Sequence, residues 1–302
     1  MSTSRAAVVL HAPEALERGA VDLEEYYSEA GPDYSAWSRG FNMHFGFYRW
    51  GMNPLDREGM LERMNVEVLE RLGIDPAKQC SILDMGCGLG ATLRTLAGRL
   101  PHALLTGVTR VPCQVEEARA RNVAAEGGDR IHVEQMDYEH TALPSGSFDA
   151  AYALESACHA HGADKAAFLR EAHRLLQPGG RLVMVDAFLR DDRQTNALQQ
   201  RICKKLCECW VIESWGDLHR VIAEMRRIGF HDIEVESWHW RVTPSVCHIP
   251  WVTLKFLVRD VCCDRKPMTR ARWNNMVAPM LAPLVSMPLG PLEYCMVSAR
   301  KR

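Results

Sequence analysis

Residues 81–92 read SILDMGCGLGAT: an apolar run, one aspartate, then glycines at positions 86, 88 and 90. The run has the composition of a short buried strand, and ATLRTLAGRL (91–100) has the apolar spacing of a helix. A strand that passes through glycines into a helix sets backbone N–H groups at a helix N-terminus, where a ligand can approach the main chain closely. Gly86-Cys87-Gly88-Leu89-Gly90-Ala91 satisfies the dinucleotide spacing G-x-G-x-x-G/A. Two features oppose a nicotinamide cofactor. The acid expected at the end of the second strand is replaced by Thr109 in GVTR. Asp84 stands just ahead of the glycines, which suits a ligand with a nearby positive charge better than a pyrophosphate. Glycines at a strand–helix turn can also be purely structural, so the neighbouring segments decide.

Outward from this point the pattern alternates. ALLTGV (103–108) reads as a strand and PCQVEEARARNVAAE (112–126) as a helix opened by proline. IHVEQM (131–136) and FDAAYAL (148–154) are strands, DKAAFLREAHRLL (164–176) a helix stopped by PGG, and RLVMVDAF (181–188) a further strand. Such alternation predicts βαβ units and a parallel sheet covered on both faces. Upstream, REGMLERMNVEVLERL (57–72) is a helix ending at Gly73. The aromatic stretch 22–50 is too irregular for a strand and too polar for a core helix. Residues 1–20 carry little pattern and read as a mobile arm. Downstream, 195–229 is mostly helical, IEVESW (233–238) and YCMVSARK (294–301) are strands, and 239–291 forms a helical cap between them.

Composition narrows the function. The 36 basic and 38 acidic side chains give a net charge of −2, so no bulk field draws nucleic acid. No run of eighteen or so apolar residues predicts a membrane span, and MVAPMLAPLVSMPLG (276–290) is interrupted by three prolines. The 11 cysteines are scattered with no secretory leader ahead of them, the usage of reduced thiols in a cytoplasmic protein. Cys203, Cys207, Cys209, Cys262 and Cys263, with Cys247-His248, raise the question of zinc. Their spacing is not that of two-residue-gap knuckles, and buried thiols without a metal are the expectation.

Asp84-x-Gly86-x-Gly88-x-Gly90 resembles the first motif of class I S-adenosylmethionine-dependent methyltransferases. Asp137-Tyr138 at the end of the third strand, ALPSGSFD (142–149), and LLQPGGRLVMVD (175–186) resemble that family's later landmarks in the same order. GVTRVPCQ (107–114) is similar to the G-x-T-x-S-x-x-Q segment of the sterol, γ-tocopherol and terpenyl C-methyltransferase branch. Thr109 and Gln114 match it, and Val111 stands where that branch has serine. ESACHAHGADK (155–165), EYYSEAG (25–31) and NMHFGFY (42–48) resemble further segments of the same branch, and 210–245 resembles the start of its cap.

The resemblance implies a Rossmann-like α/β fold: a mostly parallel seven-stranded sheet with the last strand antiparallel. It implies an N-terminal arm and lid (1–56), a cofactor-binding core (57–190), and a helical cap with the last two strands (191–302). The cofactor implied is S-adenosyl-L-methionine, held by Asp84, Gly86, Gly88, Gly90, Thr109, Gln114, Asp137 and Tyr138, with Tyr27 and His44 closing over it. Asp137 would receive the adenine amino group and Asp84 the amino-acid or ribose end. Tyr27, His44, Phe45 and Tyr48 could equally pack the arm onto the domain.

Glu155 and His159 are the catalytic candidates. A methylated alkene carries a carbocation whose proton must go to a base, and Glu155 is the expected base. His159 and His161 suit an O–H or N–H acceptor, since imidazole titrates near neutrality; each is as readily a structural histidine. Trp210, Trp215, Trp238, Trp240 and Trp251 are either core or an aromatic wall for an apolar substrate. Arg39, Arg49 and Arg241 are either a diphosphate site for a prenyl acceptor or a solvated face. The expected activity is methylation of an apolar small molecule, on carbon of a terpenoid, prenyl or indole-type natural product. O- or N-methylation of a phenolic or alkaloid acceptor, a cofactor-binding scaffold without catalysis, and a nicotinamide oxidoreductase remain as alternatives. No nucleic-acid partner is expected, and a homo-oligomer stays open.

Overall fold

The computed structural model describes residues 22–190, 195–264, 266–286 and 290–302. The arm expected over residues 1–20 lies outside the described residues. The strands are β1 (Cys80–Met85), β2 (Ala103–Thr109), β3 (Ile131–Gln135), β4 (Phe148–Leu154), β5 (Leu176–Leu189), β6 (Gly216–Asp217), β7 (Phe230–Ser237) and β8 (Leu292–Lys301). The helices are α1 (Leu23–Ala30), α2 (Tyr34–Trp37), α3 (Arg57–Leu72), α4 (Ala91–Arg99), α5 (Pro112–Val123) and α6 (Ala166–Leu175), followed by α7 (Ala197–Trp210), α8 (Leu218–Ile228), α9 (His239–Val246), α10 (Ile249–Phe256), α11 (Arg270–Leu281) and α12 (Pro283–Ser286).

Strand order is β3-β2-β1-β4-β5-β8-β7, and β6 adds two residues beside the end of β5. Pairs β1·β2, β1·β4, β2·β3 and β4·β5 are parallel, whereas β8 runs antiparallel to both β5 and β7. This is the expected doubly wound, mostly parallel sheet with its last strand reversed. The order turns outward in both directions from β1 and β4, and open α/β sheets bind ligands at such a switch point, beyond the strands' carboxyl ends.

Both faces of the sheet are covered, which is why its strands read as apolar runs instead of alternating patterns. On β1, Ile82 packs with α3, α4 and α5, while Leu83 and Met85 pack with α6 and α8. The split repeats on β5, with Val183 and Val185 on the first face and Leu182 and Met184 on the second. Each fully buried aliphatic side chain contributes roughly 1.5–3 kcal/mol, so this two-sided core holds the strand ends, and hence the site, in place.

Two elements differ from the sequence reading. The stretch 22–50, taken as irregular, begins with two helices. Asp22 caps α1 by accepting from the Glu25 N–H at 2.7 Å, and its buried stripe is only Tyr26 and Ala30, packed against Ala271 of α11. So narrow a stripe leaves little periodicity to read. Secondly, β5 starts at Leu176, so PGG lies within the strand. Its pairing with β4 jumps from Leu176 to Arg181, and the glycine segment forms the irregularity between them.

Candidate functional site

The site is assembled at the carboxyl ends of β1, β2, β3 and β4. After β1 the chain turns through Gly86, where φ is +111°. A Cβ here would sit 2.4 Å from the Ser156 Cβ, so no other residue fits without moving the loop after β4. Gly90, left-handed at φ +73°, starts α4. Thus the turn exposes main chain to a crevice whose wall includes Asp84, Gly86, Gly88, Thr109, Gln114 and Asp137.

Asp84 is buried and accepts from the Tyr152 hydroxyl at 2.7 Å. Burial pushes its carboxyl up to about 7, and the hydrogen bond pulls the other way. The Thr109 hydroxyl donates to Gln114 Oε1 at 2.7 Å, so these two matched residues brace each other at the end of β2. Tyr138 donates to the Ser156 carbonyl at 2.9 Å, and Ser156 donates to the Met85 carbonyl at 2.6 Å, tying three strand ends together. Asp137 lies 3.8 Å from Arg110. His44 sits in a buried network, 2.9 Å from the Phe45 carbonyl and 3.0 Å from Asn65 Oδ1, and burial drives its imidazole down to about 4. Tyr27 and His44 both line the crevice, whereas Tyr48 does not.

A second, larger cavity of ≈ 450 Å³ lies under the cap. Trp37, Phe45, Trp210, Trp215, Ile249 and Phe256 are among its walls. It is closed on the lid side by the Asp33–Arg272 pair, with Arg272 donating to both carboxylate oxygens at 2.8 and 2.9 Å. Five residues belong to both cavities: Tyr27, Met43, His44, Glu155 and His159. The two catalytic candidates therefore stand in the partition between crevice and cavity.

Glu155 directly follows β4 and holds a left-handed φ of +49°, the kind of strained backbone that persists where surrounding structure imposes it. Its Oε1 accepts from the Phe45 N–H at 2.7 Å and the Tyr294 hydroxyl at 2.6 Å. Burial raises its carboxyl to about 8, partly opposed by those two donors. His159 hydrogen-bonds Tyr27 through Nε2 at 3.1 Å, and its Nδ1 faces the Val211 carbonyl at 3.4 Å. A carbonyl only accepts, so Nδ1 carries the proton and Nε2 accepts from Tyr27. Burial lowers this imidazole to about 4. The expectation of a histidine titrating near neutrality is thus corrected for His159: it is a neutral hydrogen-bonding group at physiological pH. His161 lies outside both cavities and pairs with Glu139.

Several functional neighbours were not singled out from the sequence. Tyr294 holds Glu155 from β8, brought there by antiparallel pairing with Ala187. Asp186 lines the larger cavity, its carboxyl raised to about 6 by burial, and accepts from the Cys158 and Ala187 N–H groups. Lys165, buried, donates to the Cys158, Ala160 and Ser214 carbonyls at 3.1, 2.6 and 2.8 Å and so fastens the loop bearing His159. That loop's ESACHAHGADK run was the only signal for Lys165. Among the tryptophans, Trp210 and Trp215 line the cavity, Trp238 is core, and Trp240 and Trp251 are exposed. None of Arg39, Arg49 and Arg241 lines either cavity. Among the described residues no group of three or more His, Cys, Asp or Glu is placed to hold a metal, and Cys203, Cys207 and Cys209 pack in the apolar base of the cap.

The crevice suits a cation-bearing ligand with a nucleoside end. Asp84 and Asp137 line it, and the Gly86 turn leaves a main-chain cradle that a Cβ would fill. Comparison with known proteins agrees. Residues 82–180 match a methyltransferase domain family. The chain is 28% identical over 244 residues to the chloroplastic tocopherol O-methyltransferase of Arabidopsis thaliana, spanning 76% of this chain and 68% of that protein. It is 29% identical over 201 residues to cycloartenol-C-24-methyltransferase of the same plant, spanning 64% and 57%. Its fold superposes on the cyclopropane synthase MmaA2 from Mycobacterium tuberculosis with a TM-score of 0.77 at 16% identity, covering 95% and 99% of the two chains. Residues 82–180 thus form a methyltransferase domain on a class I Rossmann-like fold, and the protein is an S-adenosylmethionine-dependent methyltransferase with S-adenosylmethionine as its cofactor.

Proposed function

We propose that the protein methylates a carbon atom of an apolar small molecule, a terpenoid, prenyl or indole-type natural product. One observation carries this reading: the half-buried Glu155 carboxyl stands in the partition between the cofactor crevice and an aromatic-walled cavity and lines both. S-adenosylmethionine supplies an electrophilic methyl group when bound. Asp84, Gly86, Gly88 and Asp137 hold the cofactor, Asp137 as acceptor for the adenine amino group, with Thr109, Gln114 and Tyr138 shaping the crevice; Gly90 lies outside the crevice wall, its N–H bonded to the Cys87 carbonyl, and serves the turn into α4. The lid residues Tyr27 and His44 close the partition and exclude water. Aromatic walls surround the acceptor and favour positive charge on it through their ring faces. Glu155, its Oε1 held by Phe45 and Tyr294, takes the proton released from the methylated carbon. A carboxyl raised to about 8 is a stronger base, once ionised, than an ordinary one.

The arrangement also favours an acceptor without a diphosphate. Arg272, the one arginine of the cavity wall, is already paired to Asp33, and no lysine lines the cavity. O-methylation of a phenol is the second reading, supported by the tocopherol O-methyltransferase relative, and there too Glu155 serves as the base. The division of labour follows the same lines: lid within 1–56, cofactor core 57–190, acceptor cap 191–302. The test is incubation with methyl-labelled cofactor and a panel of terpenoid, prenyl-quinol, indole and phenol acceptors, with product NMR to locate the methyl. A methyl on carbon is the expected result; product exclusively on oxygen or nitrogen would replace the first reading by the second.

A further inference from the structure

Helix α10 is apolar on two sides. Ile249 and Phe256 face the acceptor cavity, while Trp251, Leu254 and Val258, the last in the π-helical continuation Leu257–Cys263, are each more than half exposed. Helices α11 and α12 repeat the arrangement. Met276 and Pro279 line the cavity, and Trp273 and Leu284 are more than half exposed. Helices α10 and α11 pack on each other and turn one side to the same cavity, so their opposite sides face outward together.

Scattered exposed apolar residues are ordinary; large ones gathered on adjoining helices ask for a partner. Two observations say which. The first is charge: residues 249–284 contain six basic and two acidic side chains, in a chain whose net charge is −2. One of the six, Arg272, is buried and paired with Asp33, and one of the two acids, Asp260, is buried and neutralised by Arg259 and Lys266, which leaves the segment with a cationic excess. The exposed Lys255 ammonium sits 4.9 Å from the Trp251 ring centre. Tryptophan and aliphatic groups beside cations are what a helix lying on anionic headgroups presents. The second is position: Pro250 of α10 and Met280 of α11 line the acceptor cavity and are themselves exposed, so the cavity wall reaches solvent on the two helices that carry the apolar stripes.

We propose that this outer face of the cap, centred on Trp251, Leu254, Val258, Trp273 and Leu284, docks on an anionic lipid surface, and that the acceptor enters from the bilayer through the mouth at Pro250 and Met280. No helix among the described residues is long and apolar enough to cross a membrane, so the cap helices lie in the headgroup region instead of spanning it. The route of the acceptor rests on the apolar acceptor proposed above, whereas the docking does not.

The test is cosedimentation of the full chain with vesicles of phosphatidylcholine alone and of phosphatidylcholine mixed with phosphatidylglycerol, while tryptophan emission is recorded. Binding to the mixed vesicles with a blue shift, weakening as salt is raised, is expected. Trp251→Ser with Leu254→Ser, and separately Lys255→Glu, should each lower partitioning by about tenfold, the size expected for losing buried apolar groups or reversing a surface charge. These residues line neither cavity, so S-adenosylhomocysteine affinity and melting temperature stay unchanged and verify folding. Absence of binding, equal binding to both vesicles, or full binding by the variants overturns the proposal. So does a dimer that persists with lipid present and dissociates in the Trp251 variant, since a second copy then covers the face. Because no acceptor is used, failure here leaves the methyl-transfer reading intact.

Discussion

The crevice at the strand ends and the cavity under the cap share a wall but are built in different ways. The floor of the crevice comes from short runs at the ends of four parallel strands, and lid residues such as Tyr27 and His44 complete it. The cavity is closed by pairs far apart in the chain: Arg272 with Asp33, and Tyr26, whose hydroxyl donates to Asn275 Oδ1 at 3.0 Å. The crevice wall includes glycine main chain and the carboxyls of Asp84 and Asp137 among apolar groups, whereas indole, phenyl and aliphatic groups dominate the cavity. The crevice floor is thus made by local, repeatable turn geometry, and the cavity by a surface that exists only after the lid and cap have packed together.

That contrast can be tested at its seam first. Glu155→Gln keeps the size of the side chain but removes the base, and should lower turnover by about 10²–10⁴-fold while leaving S-adenosylhomocysteine affinity near wild type. Normal product formation by that variant would take Glu155 out of the reaction. The sign of the pH dependence follows from the same residue. Its carboxyl is raised to about 8 and the proposed base acts as the carboxylate, so on that role kcat/KM of the wild type should climb with pH and level off above about 8. A profile already flat near neutrality would contradict the assignment.

On the cavity side, Asp33→Asn leaves the largely buried Arg272 without its counter-charge. Loss of one partner of such a pair costs about 3–5 kcal/mol when burial is complete. Here the melting temperature should fall and the acceptor KM rise, with cofactor affinity little changed; equal loss of both affinities would mean that cavity and crevice are not separable. On the crevice side, Asp137→Ala should weaken cofactor binding by roughly 1–3 kcal/mol through loss of a hydrogen-bond acceptor, as read by calorimetric titration, and spare the acceptor KM. The smallest effect is expected at Arg49→Ala. This residue lines neither cavity, so turnover should stay within about twofold; a large rise in KM for a diphosphate acceptor would show that the arginine faces the substrate after all.

The uneven legibility of the two regions has a physical origin. Strand–glycine–helix turns impose φ values and close approaches that few residues tolerate, so SILDMGCGLGAT, GVTR and the Asp137-Tyr138 pair announce the crevice directly. Glu155 was legible because it directly follows β4, at the same sheet edge. Tyr294 was not: it reaches Glu155 only through the reversed pairing of β8 with β5. The first lid helix escaped notice because its buried stripe is two residues wide. The sequence places His159 beside Glu155, and the structure sets it on the wall of both cavities, but its lowered imidazole was not legible, since burial is a property of the packed state.

The sequence by itself determined the strand–helix alternation, the cofactor turn and the position of the candidate base, because each depends on residues a few positions apart whose backbone geometry is locally constrained. Only the tertiary structure decided the partition between crevice and cavity, the burial that moves Glu155 and His159 in opposite directions, the Asp33–Arg272 clasp and the outward apolar face of the cap. Those features arise from desolvation and from contacts between segments up to 249 residues apart, and neither is encoded in any single stretch of chain.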